Sequence, residues 1–241
     1  MKNLFIGLFT IIIVFQSKAQ QVYWNCFNIV VDNPTELVTA LDAFMENTDA
    51  GKSFTPASLT EMRNYGTKYS ATHQLCFFSP DPASLEANRS KLNNLQAGVL
   101  MGVWNKTVTV ESSILGQSLI ADPSKFNLPY GVIYSIQVSD PVAYGAAFSK
   151  MISAVEYDGA IELHEALVGG ETGVTHYVVV RTKDMATWVR ERKKVNASKA
   201  FQDFVIATSP ISNRSAVDIF SGMLIKQYNV ELLYLIWICS K

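Results

Sequence analysis

Charge is scarce in this sequence. Only 17% of its 241 residues are charged and the formal net charge is -1, so it has no long-range positive field to gather nucleic acid or anionic lipid. The densest basic stretch, Arg190-Glu191-Arg192-Lys193-Lys194, reads as a solvated helix face. Cysteine is also rare. Three residues, Cys26, Cys76 and Cys239, are too few for a disulfide scaffold, and the odd number leaves one unpaired. There is no phosphate-cradling glycine loop, no H-E-x-x-H, no nucleophile elbow and no Cys-x-x-Cys, so the common motif-borne chemistries are absent. Nucleic acid is not an expected partner.

Apolar residues are abundant. At 49% hydrophobic the chain can bury a sizeable core and is not composed like a disordered protein. Its first residues have the three parts of a secretory signal: Lys2, an apolar run from Leu4 to Phe15, and the small-x-small site Ser17-Lys18-Ala19. Cleavage after Ala19 leaves Gln20 first and sends the protein outside the cell or into a periplasm. The apolar run is shorter than the roughly 20 residues that span a bilayer, as is the tail Val230 to Cys239, so stable membrane insertion is not expected. Export would place Cys26 and Cys76 in an oxidising compartment. They fall on strands expected to be neighbours, and two readings stand: a bridge, or two small buried hydrophobes.

The rest is organised as a repeat. Thr72-His73 and Thr175-His176 each begin an apolar extended run that ends near an Asp, Asp81 and Asp184. The histidines are 103 positions apart. Before each run lies a β-rich stretch, Val22 to Val31 or Tyr130 to Val138, followed by Asn33-Pro34 or Asp140-Pro141. An N-cap residue followed by proline starts a helix. Leu37, Leu41, Phe44 and Met45 give the first helix its stripe, and Phe148, Met151, Ile152 and Val155 the second. Hairpins follow over 58–78 and 160–182, the latter around Gly169-Gly170 and Gly173. Helices follow in turn, through Leu85 and Leu92 in the first copy, and through Met185, Trp188 and Val189 and then Phe201, Phe204 and Val205 in the second. A closing strand is read over 107–115 and over 215–225. The fold class is therefore α+β: two tandem ferredoxin-like β-α-β-β-α-β units, 20–116 and 130–228, joined by a linker over 117–129 and followed by an apolar tail over 229–241. Their antiparallel sheets are expected to face each other as an intramolecular pseudo-dimeric α+β barrel with a cavity between.

On this element order, and on the local pattern from Val178 to Phe204, the chain resembles the dimeric α+β barrel superfamily, which includes the antibiotic-biosynthesis-monooxygenase-like domains. The resemblance implies cofactor-independent monooxygenase or isomerase activity as one reading. The superfamily's haem-degrading members use an Asn, a Trp and a helical His. Asn28 and Trp188 match loosely, but no His follows Phe201, so haem is not expected and no other cofactor is indicated.

His164 and His176 flank the second hairpin. With an odd loop they share a face with Glu162, and these three are the candidate metal ligands, the two histidines being the candidate catalytic acid and base. Glu61 and His73 are their expected counterparts in the first copy. Trp24, Asn28, Ile133 and Arg181 are the candidate ligand-binding residues. The sequence leaves open which face of each sheet lines the cavity. The leading functional expectation is an exported protein that binds a small, partly apolar ligand between its sheets, beside the enzyme reading and a third, an assembly module without ligand. The oligomeric state is not legible.

Overall fold

The computed structural model describes residues 21–66, 70–213 and 219–231. Strand β1 (Tyr23–Val31) leads to helices α1 (Pro34–Asn47) and α2 (Asp49–Lys52), and then to the hairpin β2 (Ala57–Asn64) and β3 (His73–Ser79). Helices α3 (Pro82–Lys91) and α4 (Gly98–Thr107) precede β4 (Val108–Ile120). The second half runs β5 (Tyr130–Val138), α5 (Pro141–Ala154), β6 (Ala160–Gly169), β7 (His176–Thr182), α6 (Met185–Ala197), α7 (Lys199–Thr208), the two-residue β8 (Ser212–Asn213) and β9 (Ile219–Tyr228). The helix starts are where cap chemistry puts them. The side chains of Asn33, Asp81, Asp140 and Asp184 accept from the backbone N–H of Glu36, Ala83, Ala143 and Thr187, satisfying donors that the first helical turn leaves unpaired.

Hydrogen bonding orders the strands β4-β1-β3-β2 in the first half and β9-β5-β7-β6 in the second. The two halves meet along both edges, β4 with β6 and β2 with β9, always antiparallel. The result is an eight-stranded closed barrel with its helices outside. The two sheets expected to face each other across a gap are thus one continuous ladder. Closure gives each of the eight barrel strands a neighbour on both sides, and the inner faces enclose a lumen. Outward residues of the first half, including Ile29, Leu59 and Leu75, pack under α1 and α4. Those of the second half, including Ile136, Val138 and Leu163, pack under α5 and α7 around Phe148 and Phe204. Burying one such side chain stabilises by about 1.5–3 kcal/mol.

The Thr-His repeat has the same structural role twice. Thr72 N donates to the carbonyl of Ile29 (2.9 Å), and its hydroxyl accepts from Val31 N (2.9 Å) and meets His73 Nδ1 (2.8 Å). Thr175 N donates to the carbonyl of Ile136 (3.0 Å), and its hydroxyl accepts from Val138 N (2.8 Å) and meets His176 Nδ1 (2.9 Å). Each threonine therefore ties the start of its strand to the end of the neighbouring one, and each histidine is buried behind it. His73 pairs across its hairpin with Glu61, and His176 with Glu165. Glu61 therefore corresponds to Glu165, not to His164 as expected.

Other expectations are corrected as well. Cys26 and Cys76 are direct cross-strand partners and are joined in a disulfide. Strand β4 runs to Ile120, so the first four residues of the expected linker are strand. Helix α4 was not expected, because Gly98 and Gly102 weaken its pattern. In α6 the buried stripe is Thr187, Glu191 and Val195, whereas Met185 and Val189 are exposed. The expected signal segment and most of the expected C-terminal tail lie outside the described residues. Among the described residues no helix is long and apolar enough to cross a membrane.

Candidate functional site

The lumen answers which face lines the cavity. Trp24, Asn28, Ile133 and Arg181 all border it, as do Gln74 and Tyr177, around a volume of about 90 Å³. At its second-half end Glu162 is completely buried. Its carboxylate accepts from Arg181 Nε at 3.2 and 3.3 Å and contacts His164 Nε2 at 3.1 Å. The other imidazole nitrogen of His164 meets the Ser118 hydroxyl at 3.0 Å. Burial on its own would raise the Glu162 carboxyl, but the Arg181 charge, the His164 hydrogen bond and the His164 charge outweigh it and hold the group below the usual carboxylate range. The disulfide and a chain from Gln74 to Asn28 to Ser112 occupy the first-half side.

The two histidines do not come together. Glu165, not His164, is the cross-strand partner of His176, so an even number of residues closes the hairpin and alternation puts His164 and His176 on opposite faces of the sheet. Gly169, Gly170 and Gly173 all have positive φ and make the turn that fixes this register. His164 faces the lumen, edge-on to Trp24. His176 faces the helices beside Tyr144, and burial lowers its pKa against the opposing influence of Glu165. The expected pair of catalytic histidines and the set of His164, His176 and Glu162 as metal ligands are therefore not assembled. Among the described residues no group of three or more His, Cys, Asp or Glu is placed to hold a metal.

A larger cavity, of about 330 Å³, lies outside the barrel between α5, α6, α7 and the outer face of β5, β6 and β7. Phe148, Phe201, Phe204 and Trp188 supply aromatic walls, and Tyr134, Tyr157 and Arg192 supply its polar groups. Arg192 lies over the Trp188 ring at 5.5 Å. Burial raises the Tyr134 phenol, partly offset by Arg192 and by hydrogen bonds from Trp188 and Arg192. The Tyr157 hydroxyl is buried without a partner, and burial, helped by Tyr134, Glu191 and Asp158, pushes its pKa far up. It stays protonated and can donate to an acceptor. Sequence reasoning missed Tyr134, Tyr157 and Arg192. Tyr157 sits in a loop, Arg192 in a run read as solvated, and only the packing of three helices on the sheet brings them to Trp188. Asn28, paired with Trp188 by the resemblance, lies across the sheet in the lumen.

No family model matches the chain, and no curated protein matches it. Solved structures do. A presumed monooxygenase from Lactobacillus acidophilus aligns over 87% of this chain and 96% of its own, with a TM-score of 0.56 and 7% identity. An anthrone oxidase-like protein aligns over 88% of this chain and 94% of its own, with a TM-score of 0.52 and 9% identity. A chlorite dismutase variant from Candidatus Nitrospira defluvii aligns over 91% of this chain and 95% of its own, with a TM-score of 0.51 and 11% identity. These structures share the closed α+β barrel fold of this chain, the fold that the resemblance implied.

The expectation that haem is absent is corrected by these likenesses, which include chlorite dismutases. A missing histidine after Phe201 is not a ground for excluding haem, since phenolate and thioether ligands also hold haem iron. By residue type the outer cavity fits such a group: Tyr157 and Met151 are oxygen and sulfur donors among aromatic walls, and Arg192 can meet a carboxylate.

Proposed function

We propose that this chain is an exported protein that binds a small, partly apolar aromatic molecule in the cavity between α5–α7 and the barrel wall. That cavity supports the reading. Its 330 Å³ falls in the roughly 300–1,000 Å³ range of ligand pockets, and its mainly apolar lining, aromatic and aliphatic, has a few polar groups at fixed points. The lumen, at 90 Å³, falls below that range, so the ligand sits outside the barrel, not between the sheets. Aromatic rings pack among Phe148, Phe204 and Trp188, while Tyr157 donates to an acceptor oxygen and Arg192 meets a negative end. Haem is within the ligand class: Tyr157 would hold the iron as a phenolate, giving up its proton on binding, and Arg192 would meet a propionate. Export rests on the tripartite N-terminal segment. We read the two halves as a tandem duplication of a ferredoxin-like unit, a reading supported by their equal strand orders and by the paired Thr-His hydrogen bonds.

Turnover is the second reading, favoured by the anthrone oxidase-like and monooxygenase neighbours at the level of fold alone. Anthrone, a tricyclic aromatic ketone, is the probe that tests both. Saturable quenching of tryptophan fluorescence is expected on titration, weakened about tenfold by Tyr157→Phe through loss of one buried hydrogen bond. An aerobic product seen by mass spectrometry selects the enzyme. Absence of saturation by anthrone and by haemin would defeat the binding reading.

A further inference from the structure

The lumen carries polar groups that the outer cavity does not explain. Trp24 Nε1, Ser135 Oγ and the Tyr177 hydroxyl are all buried without a hydrogen-bond partner. Leaving one such group unpaired costs about 1–3 kcal/mol, so three together mark a space built to receive something. They lie close to one another. Ser135 is the cross-strand partner of Tyr177, and the Tyr177 and Trp24 rings meet edge-on at 6.0 Å. An indole N–H can only donate. Burial, with a smaller contribution from Glu171, raises the Tyr177 phenol, so its proton is also there to be donated. This inner end of the lumen asks for a neutral acceptor oxygen.

The other end is charged. Arg181 gives only its Nε to Glu162, its side chain is 20% exposed where that of Glu162 is 1%, and its guanidinium lies over the Phe126 ring at 5.1 Å, so the pair does not use its two amino groups. Those amino groups form the fork that receives a carboxylate in bidentate fashion. Between the ends lie apolar walls that include Ile133, Val179 and Phe220. The charged end is peculiar to the second half. Counting from the two Thr-His pairs, Ser58, Thr60 and Phe78 occupy in the first half the places of Glu162, His164 and Arg181.

We propose that the lumen is a second binding site, for a short oxo acid whose carboxylate meets Arg181 and whose far oxygen accepts from Trp24 and Tyr177. The site is separate from the outer cavity and does not depend on what binds there.

Calorimetric titration of the intact, disulfide-bonded chain with three probes of similar length tests this. The probes are 4-oxopentanoate, with both acceptors, pentanoate, with the carboxylate alone, and 2-pentanone, with the carbonyl alone. The oxo acid is expected to bind about tenfold more tightly than either of the others, the worth of one buried hydrogen bond or charge contact. Trp24→Phe and Tyr177→Phe, which keep the rings, should each weaken it toward the level of pentanoate, the two together should bring it there, and pentanoate itself should be unchanged. Trp188→Phe, in the outer cavity, should leave all three affinities unchanged. Equal affinity for the three probes, no saturable heat from any of them, or an oxo-acid affinity indifferent to both lumen variants would each overturn the proposal. Circular dichroism of each variant establishes that the fold persists.

Discussion

Replacing Arg181 by methionine removes the main partner of a carboxylate that has no exposure at all. In the native protein Glu162 is held ionised against burial by Arg181 and His164. Without the guanidinium a charge stays buried with one imidazole beside it, and breaking a buried pair from one side costs about 3–5 kcal/mol. Arg181→Met with Glu162→Leu removes both charges and restores apolar packing, so the double variant should recover most of that loss. Urea unfolding of the wild type, both single variants and the double variant closes the cycle. The pH dependence adds a sign. With its folded pKa depressed, wild-type Glu162 contributes stability above the ordinary carboxyl value of 4.5, and that contribution is lost as pH falls through the folded pKa. In Arg181→Met the dominant effect is burial, the folded pKa lies above 4.5, and the deficit is largest at neutral pH and shrinks as the solution is acidified. A single variant within about 1 kcal/mol of wild type at pH 7, well short of the buried-pair cost, or a double variant as unstable as the single, would refute the buried-pair account.

Other outcomes follow from the same geometry. The Cys26–Cys76 bridge closes a loop with a sequence separation of 50, and chain entropy makes that worth about 4 kcal/mol; a urea midpoint unchanged by reductant, with two thiols titrated beyond those present before reduction, would contradict it. Burial lowers the pKa values of His73 and His176 below 6.5, against the raising influence of Glu61 and Glu165. Stability is therefore intact above 6.5 and falls as pH drops from 6.5 toward the lowered values, by up to about 1.4 kcal/mol per pH unit for each histidine. His73→Gln with His176→Gln should flatten that limb in urea midpoints taken across it. A Cβ at Gly116 would run into the Trp24 indole and the Glu165 carbonyl, so Gly116→Ala should cost about 1–3 kcal/mol by overpacking and shift the tryptophan emission, whereas an unchanged spectrum and stability would show that the lumen is not packed as described.

Much of the fold was legible because local chemistry agreed with it. Asn33-Pro34 and Asp140-Pro141 start helices by their own preferences, and alternation in Tyr130–Val138 correctly put Val132 and Ile136 on one face. The repeat of Thr and His was legible as a repeat but not as a lock between strands, since its hydrogen bonds run to Val31 and Val138, far away in the chain. The candidate site failed on a single residue of register. His164 and His176 share a face for one hairpin count and oppose each other for the next, and the choice was made by three left-handed glycines whose conformation the sequence pattern does not state. The edge pairings β4–β6 and β2–β9 join strands from different halves and left no local trace. The outer cavity was out of reach for the same reason: Tyr134, Tyr157, Trp188 and Arg192 come from a strand, a loop and a helix, and nothing in their spacing relates them.

A crystal structure of the protein grown with anthrone tests the central claim most directly. The account predicts the ligand on the outer face of the second-half sheet, its rings against Trp188 and Phe204 and its carbonyl oxygen within hydrogen-bonding distance of the Tyr157 hydroxyl. Anthrone seated inside the barrel, or under the helices of the first half, would contradict it.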